Sequence, residues 1–172
     1  TLQRFEHTPK LVIGALSGHC VGGGLEIALA CDLRIARRGS GKCGLPEVSL
    51  GVLPGTGGTQ RLARAVGASK AIELMATGRT FDYDEALRLG LVNEVRDAAD
   101  DTSFLAEVLT YAASFTTPAR AAMSVGHIKA AVQGGVDLPL DAGLALEREL
   151  QAKLFASADA KEGIAAYIEK RK

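Results

Sequence analysis

Apolar residues along this chain change their period, first suiting strands and later helices. Leu11 to Ser17 (LVIGALS), a short apolar run bounded by Pro9 and Gly18, predicts a strand buried on both faces. Gly22-Gly23-Gly24 then leads into Leu25 to Cys31, apolar around nearly the whole circumference except for Glu26, which predicts a buried helix carrying one carboxylate. Asp32 to Ala36 alternates like a strand, Arg37 to Lys42 is a polar turn, and Cys43-Gly44-Leu45 is a further short strand ending at Pro46-Glu47. Gly51 to Gly58 (GVLPGTGG) is a glycine-rich loop. Helices follow over Thr59 to Val66, ended by Gly67, and Ala68 to Thr77, stopped by Gly78. Asp82 opens another, with acidic groups in its first turn and Gly90 closing it before a strand over Leu91 to Val95.

Long helical patterns fill the remainder: Thr102 to Ser114, Pro118 to Gln133, Leu138 to Ala156 and Asp159 to Lys170. Pro118 suits the first turn of its helix, where its missing N–H costs little. Gly134-Gly135 is the candidate hinge between the last helices. Leu140, Leu144, Leu146, Leu150 and Leu154 lie amid charged residues on an amphipathic face that must pack on something, another subunit being one candidate. The glycine-rich, β-branched first third reads as a site-building part, residues 1–66, and residues 67–172 as a helical packing part.

Composition narrows the function. The 172 residues carry 20 Lys+Arg against 20 Asp+Glu, so no overall field steers the chain toward nucleic acid or an anionic membrane. Its apolar runs are far shorter than the ~20 residues that span a bilayer, and Thr1 to Lys10 does not read as a secretory signal. Cys20, Cys31 and Cys43 include no C-x-x-C pair and suit reduced, buried thiols; a zinc site built on His19 and Cys20 is the weaker alternative.

Glu26 is the chemical anomaly. A carboxylate set among Leu, Ile, Ala and Cys loses hydration, which would push its pKa above the ordinary ~4.3 and suit acid–base work near neutrality, unless it is exposed or paired with Arg34 or Arg61. Gly23, one turn earlier, offers a backbone N–H that can face a developing oxyanion, although a tight turn is the commoner use of such glycines. Glu47 is the second carboxylate that the intervening strands can return to the mouth of the same helix, and two carboxylates on one pocket can divide proton transfers. The P-loop and dinucleotide glycine patterns both fail here. A glycosidase pair is the chemical rival, but the chain has no Trp to stack on sugars.

Together, the segments Ser17-Gly18-His19-Cys20-Val21-Gly22-Gly23-Gly24-Leu25-Glu26, Cys31-Asp32-Leu33-Arg34-Ile35-Ala36, Leu45-Pro46-Glu47, Gly51 to Leu62 and Glu162 to Arg171 resemble the enoyl-CoA hydratase/isomerase (crotonase) family. The resemblance covers essentially the whole chain. It implies an α/β fold, a β-β-α spiral core followed by an α-helical trimerisation region, with a homotrimer or hexamer as the assembly. It makes Gly23 an oxyanion-hole donor and Glu26 and Glu47 the catalytic pair that adds water to a trans-2-enoyl-CoA thioester. It also puts Gly22, Pro54, Gly55, Tyr167 and Lys170 at substrate-binding positions. No metal or separate cofactor is implied, CoA being part of the substrate. A cytoplasmic or mitochondrial-matrix setting follows, rather than secretion. Double-bond isomerisation or another acyl-CoA reaction on the same scaffold, and a non-catalytic or RNA-binding relative, are the alternatives. Two departures stand out: the turn Arg37 to Lys42 is one residue longer than is typical, and the family's amino-terminal half has no counterpart, so the chain reads as a carboxy-terminal portion.

Overall fold

The first four strands are dealt to alternate sheets. A computed structural model describes residues 2–171, with Thr1 and Lys172 outside the described residues. The order is α1 (Gln3–His7), β1 (Ile13–Leu16), β2 (Cys20–Val21), α2 (Gly23–Leu29), β3 (Leu33–Arg37), β4 (Lys42–Gly44) and a 3-10 turn (Glu47–Leu50). Then come α3 (Gly58–Val66), α4 (Ala68–Thr77), β5 (Phe81–Asp82), α5 (Tyr83–Arg88), β6 (Glu94–Arg96), α6 (Asp101–Ala113), α7 (Ala122–Gly135), α8 (Leu140–Phe155) and α9 (Ala158–Ile168). One sheet runs β1-β3-β6, parallel throughout, with Ile13 opposite Leu33 and Ile35 opposite Glu94. The other runs β2-β4-β5, where Cys20 faces Cys43 in parallel and Cys43 faces Phe81 in an antiparallel pair. The alternation of sheets around α2 is the β-β-α spiral order the resemblance implies.

Two compact units divide the chain, one formed by residues up to Glu6 with Val12–Ala112, the other by His7–Leu11 with residues from Ala113 onward. The first unit has a sealed core in which Leu25 and Leu29 of α2, Leu62 of α3, Leu74 of α4 and Tyr83 of α5 pack together. Polar groups among these elements find partners: the Tyr83 hydroxyl donates to the Gly18 carbonyl at 2.5 Å, and the Asp32 carboxylate accepts from the Val12 N–H at 2.7 Å. Arg34 donates to the Cys31 carbonyl at 2.7 Å and the Ala28 carbonyl at 3.3 Å, closing the carboxyl end of α2, and to the Leu91 carbonyl at 2.6 Å. Cys20, Cys31 and Cys43 are free and buried, and burial pushes the Cys20 and Cys43 thiols up to about 11 and about 12.

Several local expectations are corrected. The strand drawn from Leu11 to Ser17 is half-buried rather than covered on both faces, because β1 is the edge of its sheet among the described residues. Leu91 and Val92 are buried but precede β6: their N–H groups return to the Ala86 carbonyl at 2.9 and 3.4 Å, so their apolarity reports closure of α5 and not a ladder. Pro118 stands before α7, not in its first turn. Gly134 and Gly135 are the last residues of α7 rather than part of the link that follows it, and Gly135 is in ordinary contact with Gly143 of α8. Among the described residues no helix is long and apolar enough to cross a membrane.

Candidate active site

Glu26 sits in the first turn of α2 and is only 4% exposed. Its carboxylate is held by the loop that leads into α3. Oε1 accepts the Thr56 N–H at 2.7 Å and the Gly58 N–H at 2.8 Å, and Oε2 accepts the Thr56 hydroxyl. The glycine at 58 is required by this approach: a side-chain carbon there would fall 2.7 Å from Pro54 Cβ and 3.0 Å from Glu26 Cγ and Oε1. Gly57 caps α3 with φ of 111°, a left-handed conformation that side chains rarely adopt.

These donors reverse the expected titration of Glu26. Desolvation is the largest single influence and raises its pKa, but the Thr56 hydroxyl, the Gly58 and Thr56 amides and the charge of Arg61 together bring it below the ordinary Glu value. Neither arginine is paired with it as the sequence allowed, since Arg34 serves carbonyls and Arg61 forms an ion pair with Glu6. An ionised carboxylate offers about four lone-pair sites, and three are taken here. Glu26 can therefore accept one further hydrogen at neutral pH.

Glu47 approaches the same helix end from another element. It opens the 3-10 turn after Pro46, where a strand end was expected, and Gly51 in a left-handed conformation (φ 74°) terminates that turn. Its Oε1 lies 3.1 Å from where a side-chain carbon at Gly22 would be, so Gly22 is the floor on which the carboxylate rests. Gly22 has φ of 58° and donates its N–H to the Gly44 carbonyl at 2.9 Å, which ties the start of α2 to β4, the strand that precedes Pro46. Glu47 Oε2 is buried and has no hydrogen-bond partner among the described residues. Gly23 is the first residue of α2, so its N–H has no acceptor within the helix, and the space where a side chain would stand is open.

Of the other positions implied by the resemblance, Pro54 is buried against Gly58 and Gly55 is exposed on the same loop. Gly22, Gly23, Glu26, Glu47, Pro54 and Gly55 thus all belong to the first unit. Tyr167, 85% exposed near the end of α9, and the exposed Lys170 belong to the second. Sequence reasoning passed over Thr56, Gly58 and Arg61 as functional groups. The available signal was the glycine pair immediately before a helix, a junction where backbone N–H groups lack partners and can grip a carboxylate. Among the described residues no group of three or more His, Cys, Asp or Glu side chains is arranged to hold a metal. His19 Nδ1 instead accepts the Lys42 N–H at 3.2 Å.

Comparison with known proteins bears on the whole chain. The short-chain-enoyl-CoA hydratase of Clostridium acetobutylicum is 41% identical over 170 residues, 99% of this chain and 63% of that protein. The crotonyl-CoA hydratase of Syntrophomonas wolfei is 41% identical over 167 residues, 97% of this chain and 62% of its own length. A crystal structure of an enoyl-CoA hydratase from Geobacillus kaustophilus HTA426 superposes with a TM-score of 0.93 at 47% identity, covering 99% of this chain and 63% of that one. The chain spans less than two thirds of the length of these relatives. A profile of the enoyl-CoA hydratase/isomerase family matches residues 1–172. With residues 1–172 matched by the profile and the fold shared at that level of identity, the chain belongs to the enoyl-CoA hydratase/isomerase family.

Proposed function

We propose that the protein adds water across the 2,3 double bond of a trans-2-enoyl-CoA thioester. The observation that carries this reading is the meeting of two unlike carboxylates at the amino end of α2: Glu26 clamped by three donors, and Glu47 with a buried oxygen that lacks one. The names of the relatives, both hydratases, support the same substrate class.

In this reading Glu26, ionised and with one acceptor site left, takes a proton from water as the water oxygen bonds to the β-carbon. The π electrons move toward the thioester, building enolate charge on its oxygen, where the Gly23 N–H donates. Losing one such aimed donor costs ~2.7–4 kcal/mol in comparable sites. Glu47 delivers a proton to the α-carbon and is resupplied, by relay through water, with the proton that Glu26 took up, so one water is consumed as a hydroxyl on the β-carbon and a hydrogen on the α-carbon and both carboxyl groups return to their starting forms. Pro54 and Gly55 line the approach, and Tyr167 and Lys170 serve the CoA portion of a substrate held by a neighbouring copy of the chain. CoA leaves with the product as part of it, so no separate cofactor enters.

The uncovered apolar positions of α7 to α9 support assembly of several copies, with a trimer or hexamer as the expected stoichiometry. The bacterial relatives favour a cytoplasmic setting over a mitochondrial one. Incubation of the purified protein with crotonyl-CoA, read by mass spectrometry, tests the reaction: hydration adds the mass of one water to the thioester. An unchanged mass with a shifted double bond would make the protein an isomerase, and no reaction on any enoyl-CoA would remove the proposal.

A further inference from the structure

Glu26 is held by the Thr56 and Gly58 amides, and the carbonyl between them, that of Thr56, is held in turn by Arg61 Nη1 at 3.2 Å. The same guanidinium is fixed from its other side. Arg61 Nε and Nη2 donate to Glu6 Oε1 and Oε2 at 2.7 and 2.9 Å, a two-point fork that sets the plane of the group. The arginine is packed tightly under the loop: a side-chain carbon at Gly57 would fall 2.0 Å from Nη1. A chain of contacts therefore runs from the carboxylate of α1, through the arginine of α3, to the peptide lying between the two amides that grip Glu26.

We propose that Arg61, clamped by Glu6, is a positioning residue that sets the Thr56 peptide so that its donors face the Glu26 carboxylate. It acts through Thr56 and touches no reacting atom. Lys at this position would keep the charge but lose the fork, and could not grip Glu6 and the Thr56 carbonyl in one plane. The inference rests on the reading of Glu26 as the group that activates water, yet it can be tested without substrate.

Arg61 is the charged group that acts on Glu26, with Glu6 behind it and the Glu47 carboxyl at the same end of α2; Thr56 and Gly58 are uncharged, and neither substitution below alters Glu47. Charge acting through space and positioning therefore predict different signs. By charge alone, Arg61→Lys leaves the Glu26 titration where it is, and Glu6→Gln, which removes a negative charge, moves it down. Positioning predicts that both substitutions move it up, because both loosen the donors. The experiment is a carboxyl-carbon NMR titration of Glu26 in the wild-type protein, Arg61→Lys and Glu6→Gln, with circular dichroism to confirm folding; if one variant does not fold, the other carries the test. In turnover of crotonyl-CoA the same variants lose about tenfold in kcat, with KM changed less than about threefold. An unmoved or lowered Glu26 titration in the folded variants, even with a reduced melting temperature, would overturn the proposal and leave Arg61 as a tether for α1. A raised titration in a protein that does not hydrate enoyl-CoA would uphold the positioning and refute the hydratase reading.

Discussion

The two units of this chain differ in how they use their apolar residues. In the first, Leu25, Leu62, Leu74, Phe81 and Tyr83 are sealed in a common core, and Ile35, Phe104 and Val108 form a second cluster. In the second, α8 and α9 bury no residue at all and α7 buries only Gly126 and Lys129, while Leu140 is 76% exposed and Ile128, Val132 and Ile168 are open as well. Lys129 is tied by its ammonium to the Lys10 carbonyl at 2.9 Å, a polar fastening where the first unit would use packing. The difference teaches where precision is needed. A carboxylate must be held within a fraction of an ångström of its donors, and only an interdigitated core gives α2 and its facing loop fixed positions.

The comparison breaks first at the core. Phe104→Ala, which empties a fully buried site in the first unit, is expected to cost about 3–5 kcal/mol in denaturant unfolding. A loss below about 1 kcal/mol would mean that this unit is not sealed as described. Gly58→Ala is expected to cost about 1–3 kcal/mol, because its methyl would enter the contact between Pro54 and Glu26, and to weaken hydration along with stability. Parallel melts and rates would show whether the two losses travel together.

Acid sharpens the comparison further, since the depressed carboxyl of Glu26 lies in the first unit. Its native pKa is below that of the unfolded chain, so its contribution is complete above the ordinary value of ~4.3 and is lost as pH falls through the lowered native value. Denaturant midpoints followed downward from pH 6 should fall more steeply in the wild type than in Glu26→Gln, and parallel curves would contradict this. The smallest effect is expected in the second unit. Leu140→Ala, measured on single chains in dilute solution, should change stability by no more than about 0.5 kcal/mol.

How legible each part was follows from how local its cause is. α4 falls on Ala68–Thr77 as read, because Gly67 and Gly78 bracket it, and α5 starts behind Asp82, whose carboxylate accepts the Glu85 N–H at 2.8 Å. The two-residue β5 was missed because Phe81–Asp82 is a strand only by virtue of Lys42 and Cys43, far away in sequence. At the site, the motifs singled out Glu26 and Glu47, and the fold brings both to the amino end of α2. The direction of the Glu26 titration was not legible there: desolvation is a property of its own helix, whereas the donors that outweigh it come from residues 56 and 58.

The central claim is that the two carboxylates at the head of α2 act on one acyl thioester. Initial rates of crotonyl-CoA hydration by the purified wild-type protein, Glu26→Gln and Glu47→Gln test it most directly, each variant first checked for a native melt. The account predicts that each substitution lowers kcat by about 10²–10⁴-fold, the range for removal of a positioned acid or base. A folded Glu47→Gln protein that turns over within a few-fold of wild type would contradict it.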